Sequence, residues 1–127
     1  MCGFNLVFQK QKNEFSDAKI KKINDLIKHR GPNDAGYLLI NKEEEEFLFT
    51  ENKFQHLHND MPSIDDKNHA NFINTNFFPI IVTHRRLSII DLSDKGFQPM
   101  INSNYGITVL FNGEITNFIE LKKELES

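Results

Sequence analysis

The single cysteine of this 127-residue chain stands second, in Met1-Cys2-Gly3. Removal of Met1 would leave Cys2 with a free α-amine beside its own thiol, so that one residue holds both a nucleophile and a base. An α-amine titrates at about 7.7–8.0, so part of it is neutral near pH 7 and able to take the thiol proton. Position alone makes Cys2 only a candidate; partners must come from elsewhere in the chain. His84-Arg85-Arg86-Leu87-Ser88-Ile89-Ile90-Asp91 sets two adjacent arginines in an apolar stretch. On a strand they point to opposite faces, which lets one be a solvated charge while the other faces inward. An inward guanidinium needs an anionic partner or a ligand carboxylate, which its planar fork suits. Asn112-Gly113-Glu114 ends an alternating run. By itself Asn-Gly reads as a tight hairpin turn. Its chemical reading is a pair of donors, the Asn112 amide and the Gly113 N–H, aimed at a developing oxyanion.

Elements to position these residues follow from periodicity. Alternation predicts a strand over 3–8 with Phe4, Leu6 and Phe8 on its buried face and Cys2 at its head. Ser16 is an expected N-cap, and Ile20, Ile23, Leu26 and Ile27 form a helical stripe that ends near Gly31-Pro32. His29-Arg30-Gly31-Pro32 reads as the helix C-cap, with close backbone approach to a ligand as the alternative. Strands follow at 36–40 and 47–49, joined through the acidic run Glu43–Glu46. Residues 52–78 show little periodicity and are expected as a long surface insertion. They hold His56, His58 and His69, but not at the spacing of a metal-ligand set. Pro79–Thr83 reads as a buried strand, Ile107–Phe111 as another, and Asn117 as the cap of a last helix striped by Phe118, Leu121 and Leu125.

Composition excludes several classes. A net charge of −3 leaves no basic footprint for nucleic acid. One cysteine makes no internal disulfide, which fits a reducing compartment. No apolar run reaches the roughly 18–20 residues of a membrane span, and no signal peptide is legible at the start. A cytoplasmic, one-domain protein with a phenylalanine-rich core is expected from its twelve Phe and absent Trp.

Four blocks in order, Met1-Cys2-Gly3, His29-Arg30-Gly31-Pro32, Arg86-Leu87-Ser88-Ile89-Ile90-Asp91 and Phe111-Asn112-Gly113-Glu114-Ile115, resemble the class II glutamine amidotransferases. The wording is most similar to the glutaminase domain of glutamine-hydrolysing asparagine synthetases. The resemblance implies an α+β fold, an incomplete αββα Ntn-hydrolase sandwich of antiparallel sheets. It implies Cys2 as the nucleophile on the glutamine side-chain amide and Asn112 with Gly113 as the oxyanion hole. Arg86 would clamp the substrate α-carboxylate and Glu114 its α-amine, with Leu87, Ser88, Ile89 and Ile90 lining the pocket. A Cys2 thioester would release ammonia and then glutamate. The implied partners are L-glutamine and a synthetase domain, with room for a homodimer. No cofactor is expected in this portion; ATP and Mg²⁺ would belong to a synthetase domain absent from it. The chain departs from the family pattern at Asn33 and Thr116, where Asp and Tyr are usual, and in a longer 36–84 segment. No counterpart of a later substrate-gripping aspartate, or of a pyrophosphate loop, is found. Residues 1–127 are therefore expected to be the N-terminal portion of a longer protein or a shortened gene product. The alternatives are a non-catalytic remnant that binds a partner or has no activity, and a fragment whose open edges and uncovered apolar faces keep it from folding stably.

Overall fold

A computed structural model describes residues 1–12, 14–89 and 91–127. The framework is an antiparallel sheet of β1 (Gly3–Phe8), β2 (Asp34–Ile40), β3 (Glu46–Thr50) and β4 (Ile80–Arg86), in the order β1-β4-β2-β3. A two-stranded antiparallel ribbon follows, β5 (Met100–Asn102) with β6 (Ile107–Val109). The helices are α1 (Asp17–Leu26), α2 (Lys67–Thr75) and α3 (Phe118–Leu125). The class is α+β with antiparallel sheets, as expected.

Alternation assigns the two faces of the larger sheet. One face carries Ala35, Tyr37, Leu39, Phe49 and Ile81, packed with Ile20 of α1 and Ile73 of α2. The other carries Leu38 and Val82, buried beneath the stretch that leads into the ribbon. There the Gln98 carbonyl crosses Gly36 so closely that a Cβ at residue 36 would lie 1.9 Å from it, which admits only glycine. Thr108 Oγ donates to Glu46 Oε1 at 2.7 Å and ties the ribbon to β3. Covered on both sides, β2 and β4 are buried along almost their whole length rather than at alternate residues.

Four expectations change. The apolar side of β1 is not buried: Phe4, Leu6 and Phe8 are 44%, 50% and 69% exposed. They share the face of Val82, but β1 is an edge strand beyond the reach of the ribbon. Asn5 and Val7 face α1 instead, and Asn5 donates to Thr83 Oγ1 at 2.9 Å. Helix α1, capped by Ser16 through the Lys19 N–H, stops at Leu26; Lys28–Arg30 form a separate 3-10 turn. Leu26 points outward, and buried Asn24 takes its place on the inner face. Residues 52–78, expected as a surface insertion, include a 3-10 turn and α2 and send Phe54, Ile64, Ile73 and Phe78 into the core. Their apolar residues are too widely spaced for a periodic signal. Here His58 pairs with Asp34 at 2.7 Å and His69 with the Ser63 carbonyl at 2.8 Å.

The fourth change concerns the arginine pair. Arg85 and Arg86 point to opposite faces, yet neither is solvated. Arg85 lies among the helices and pairs with Glu51 and Asp25, each at 2.6 Å. Tyr37 donates to the same Glu51 oxygen at 2.6 Å. Burial, then the Glu51 charge, push the Tyr37 hydroxyl well above its ordinary range. Burial alone would raise the Glu51 carboxyl; the bonds from Lys53 and Tyr37 and the charge of Arg85 outweigh it and hold it low.

Apolar side chains also remain open on the outer ribbon face, at Met100, Ile107, Val109 and Phe111, and along α3 at Phe118, Leu121 and Leu125. The expected uncovered faces are thus present. Asn117 precedes α3, but its side chain makes no capping bond.

Candidate active site

The register of β1 against β4 sets Gly3 opposite Arg85, so the residue before β1 falls beside the residues that leave β4. Cys2 Sγ accepts a hydrogen bond from the Leu87 N–H at 3.3 Å, and the Leu87 carbonyl lies 3.8 Å from the same sulfur. The thiol is half-buried and uncrosslinked. Arg30 of the His-Arg-Gly-Pro block donates through Nε to the Cys2 carbonyl at 3.0 Å. Gly31 packs on β4, where a Cβ would lie 2.5 Å from the Arg85 backbone. The block is therefore a structural brace: Gly31 lets the turn press against β4, and Arg30 holds the head of β1.

Arg86 faces the side opposite Arg85. Its Nη1 donates to the Ser93 carbonyl at 2.6 Å and its Nη2 to the Asp91 carbonyl at 2.5 Å. Among the described residues these bonds use two of its five guanidinium N–H groups. Hydrogen bonds from the Ser93 hydroxyl and N–H hold the exposed Asp91 carboxyl below its usual range. Asn33 accepts from the Ser88 N–H at 3.1 Å and donates its own N–H to the Arg86 carbonyl at 3.1 Å. The departure at residue 33 thus leaves a side chain that fastens the exit of β4.

An open cavity of about 770 Å³ collects these pieces. Cys2, Arg86, Leu87, Ile89, Asn112, Gly113 and Glu114 all line it. Of the remaining expected residues, Ser88 is not among the lining, and Ile90 lies outside the described residues. Motif reading missed Lys95, Gln98, Met100 and Phe118, which share the wall. Nothing in their local pattern marks them; they arrive through the ribbon and α3. The cavity thus joins a thiol, a guanidinium, an amide beside a backbone N–H, and a carboxylate. Such a set suits an amino-acid substrate whose side-chain carbonyl is attacked by sulfur.

Behind this wall lies His84, fully buried on β4. Among the described residues neither ring nitrogen has a hydrogen-bond partner. Burial pushes its pKa down to about 4; the nearby Phe111 backbone opposes this in part, and the Arg86 charge adds to it.

Residues 65–127 match the glutamine amidotransferase domain family. The whole chain is 32% identical over 130 residues to glutamine-hydrolyzing asparagine synthetase 1 of Bacillus subtilis, of which it spans 15%. It is 30% identical over 138 residues, covering 98% of this chain and 20% of the relative, to putative glutamine-hydrolyzing asparagine synthetase 2 of Methanocaldococcus jannaschii. A shorter stretch of 46 residues, 36% of this chain and 8% of the relative, is 48% identical to the asparagine synthetase of Brassica oleracea. The chain therefore spans about a fifth or less of the curated relatives it matches. No solved structure matches it. The match to the glutamine amidotransferase domain family thus lies in residues 65–127, and similarity to glutamine-hydrolysing asparagine synthetases runs along the whole chain.

Proposed function

We propose that the cavity binds L-glutamine and hydrolyses its side-chain amide, in the αββα Ntn-hydrolase manner. Cys2, made N-terminal by loss of Met1, is the nucleophile, and its α-amine takes the thiol proton. Sulfur attacks the amide carbon, and the oxygen gathers charge against the Asn112 amide and Gly113 N–H. Collapse expels ammonia and leaves a thioester, which water opens to glutamate and free Cys2. Arg86 holds the α-carboxylate through its guanidinium, Glu114 holds the α-amine, and the Leu87–Ile90 backbone lines the site. No metal or cofactor takes part in these steps. The ammonia passes to an ATP- and Mg²⁺-dependent synthetase domain that amidates aspartate.

The observation that carries this reading is the meeting of Cys2 with the Leu87 N–H in the cavity that Arg86, Asn112, Gly113 and Glu114 also line. The test uses an electrophilic glutamine analogue on protein whose intact mass shows loss of Met1. One adduct on Cys2, prevented by excess L-glutamine and absent from Cys2→Ala, is expected. Labelling that survives Cys2→Ala, or no adduct on the processed protein, excludes the reading in favour of a non-catalytic remnant.

A further inference from the structure

Gln98, beside the Asn112-Gly113 pair, is not in any of the four sequence blocks. Gln98 is 8% exposed, and its side-chain amide makes two bonds to one residue. Gln98 Nε2 donates to the Phe111 carbonyl at 3.0 Å, and Gln98 Oε1 accepts from the Phe111 N–H at 2.6 Å. Phe111 immediately precedes Asn112 and Gly113.

The ribbon explains the arrangement. Met100 pairs with Val109, so continuing the same antiparallel register sets Gln98 opposite Phe111. The backbone ladder stops at Met100, and Pro99 separates it from Gln98. A glutamine side chain carries one carbonyl and one amide group, as a peptide unit does, and it supplies the missing rung. The main chain of Gln98 is fixed at the same time, because its carbonyl rests on Gly36 of β2. A buried residue seated on the main sheet thus grips both backbone polar groups next to the proposed oxyanion donors. The Phe111 N–H and carbonyl would otherwise lack a ladder partner at the cavity edge.

We infer that Gln98 is a positioning residue for the Asn112-Gly113 pair, setting the two donors against the carbonyl attacked by Cys2. Gln98 itself exchanges no proton and forms no bond with substrate. The role rests on the glutaminase reading above.

The experiment compares wild type, Gln98→Ala and Gln98→Glu, each with Met1 removed. Glutamate release from L-glutamine is measured alongside residue-resolved amide exchange. Losing one oxyanion donor costs about 10²–10³ in rate, so misaiming the pair in Gln98→Ala should lower kcat at least about tenfold. KM should stay within about twofold, because Arg86 and Glu114 are untouched, and kcat is taken per active site titrated with the electrophilic analogue, so that misfolded protein does not count as a loss of kcat. Amide exchange should accelerate at Phe111, Asn112 and Gly113 and stay unchanged in β1, β2 and β4. Gln98→Glu keeps the acceptor for the Phe111 N–H but loses the donor to its carbonyl, and should fall between the two. An unchanged kcat in Gln98→Ala overturns the inference, as does faster exchange throughout the fold. If the processed wild type releases no glutamate, the glutaminase reading fails separately. The exchange data then decide: acceleration confined to 111–113 supports the positional role, and unchanged exchange there refutes it.

Discussion

Replacing His84 by leucine should flatten the acid side of the stability profile. His84 is fully buried, its ring nitrogens lack partners among the described residues, and burial carries its pKa from 6.5 to about 4. The folded state therefore holds the ring neutral, while the unfolded chain protonates it below about 6.5. A group depressed in this way contributes its full stability above the unfolded pKa and loses it as pH falls through the folded one. The full displacement corresponds to roughly 3 kcal/mol. Integrating the proton uptake between pH 8 and pH 5 gives a loss of about 2 kcal/mol from this residue alone. That is a large share of the roughly 5–15 kcal/mol by which a domain is stable. Urea unfolding of wild type and His84→Leu at pH 8 and pH 5 measures it. Carboxylates such as Glu51 titrate in both proteins, so the difference between the two losses isolates residue 84. Wild type should lose about 2 kcal/mol more than the variant. Equal losses, or a larger loss in His84→Leu, would refute the account of a neutral, buried imidazole.

Two further substitutions probe the framework. Arg85→Ala strips Glu51 and Asp25 of their buried cation and leaves Glu51 to Tyr37 and the more exposed Lys53, so urea unfolding should show a loss of about 3–5 kcal/mol. Ser16→Ala removes the acceptor for the Lys19 N–H and should cost about 1 kcal/mol, read as a lowered midpoint in thermal unfolding.

Much of this molecule is readable as a string. Alternation located β1 from Gly3 to Phe8, and a serine before an apolar helical stripe located the start of α1. The blocks around Cys2, Arg86 and Asn112 drew attention, through residue type alone, to side chains that line one cavity. Other features were hidden for physical reasons. Periodicity says which side chains share a face but not which face is covered, so the open side of Phe4, Leu6 and Phe8 could be settled only by the reach of the ribbon. The core residues Phe54, Ile64 and Ile73 lie in a stretch dominated by Asn, Asp and His, where no window shows a period. Strand β5 spans only Met100–Asn102, too few residues to alternate visibly, and without it the rung formed by Gln98 has no register to belong to.

The sequence determined the chemical alphabet of the cavity: one thiol at the second position, a guanidinium, an amide beside a glycine, and a carboxylate. Tertiary structure decided that they line one cavity. Antiparallel pairing of β1 with β4 is what carries a sulfur to an N–H 85 positions away, because register converts a match at Gly3 and Arg85 into adjacency just beyond it. Bringing such distant groups together costs chain entropy that only the packed sheet and its helices repay, and no local pattern records that exchange.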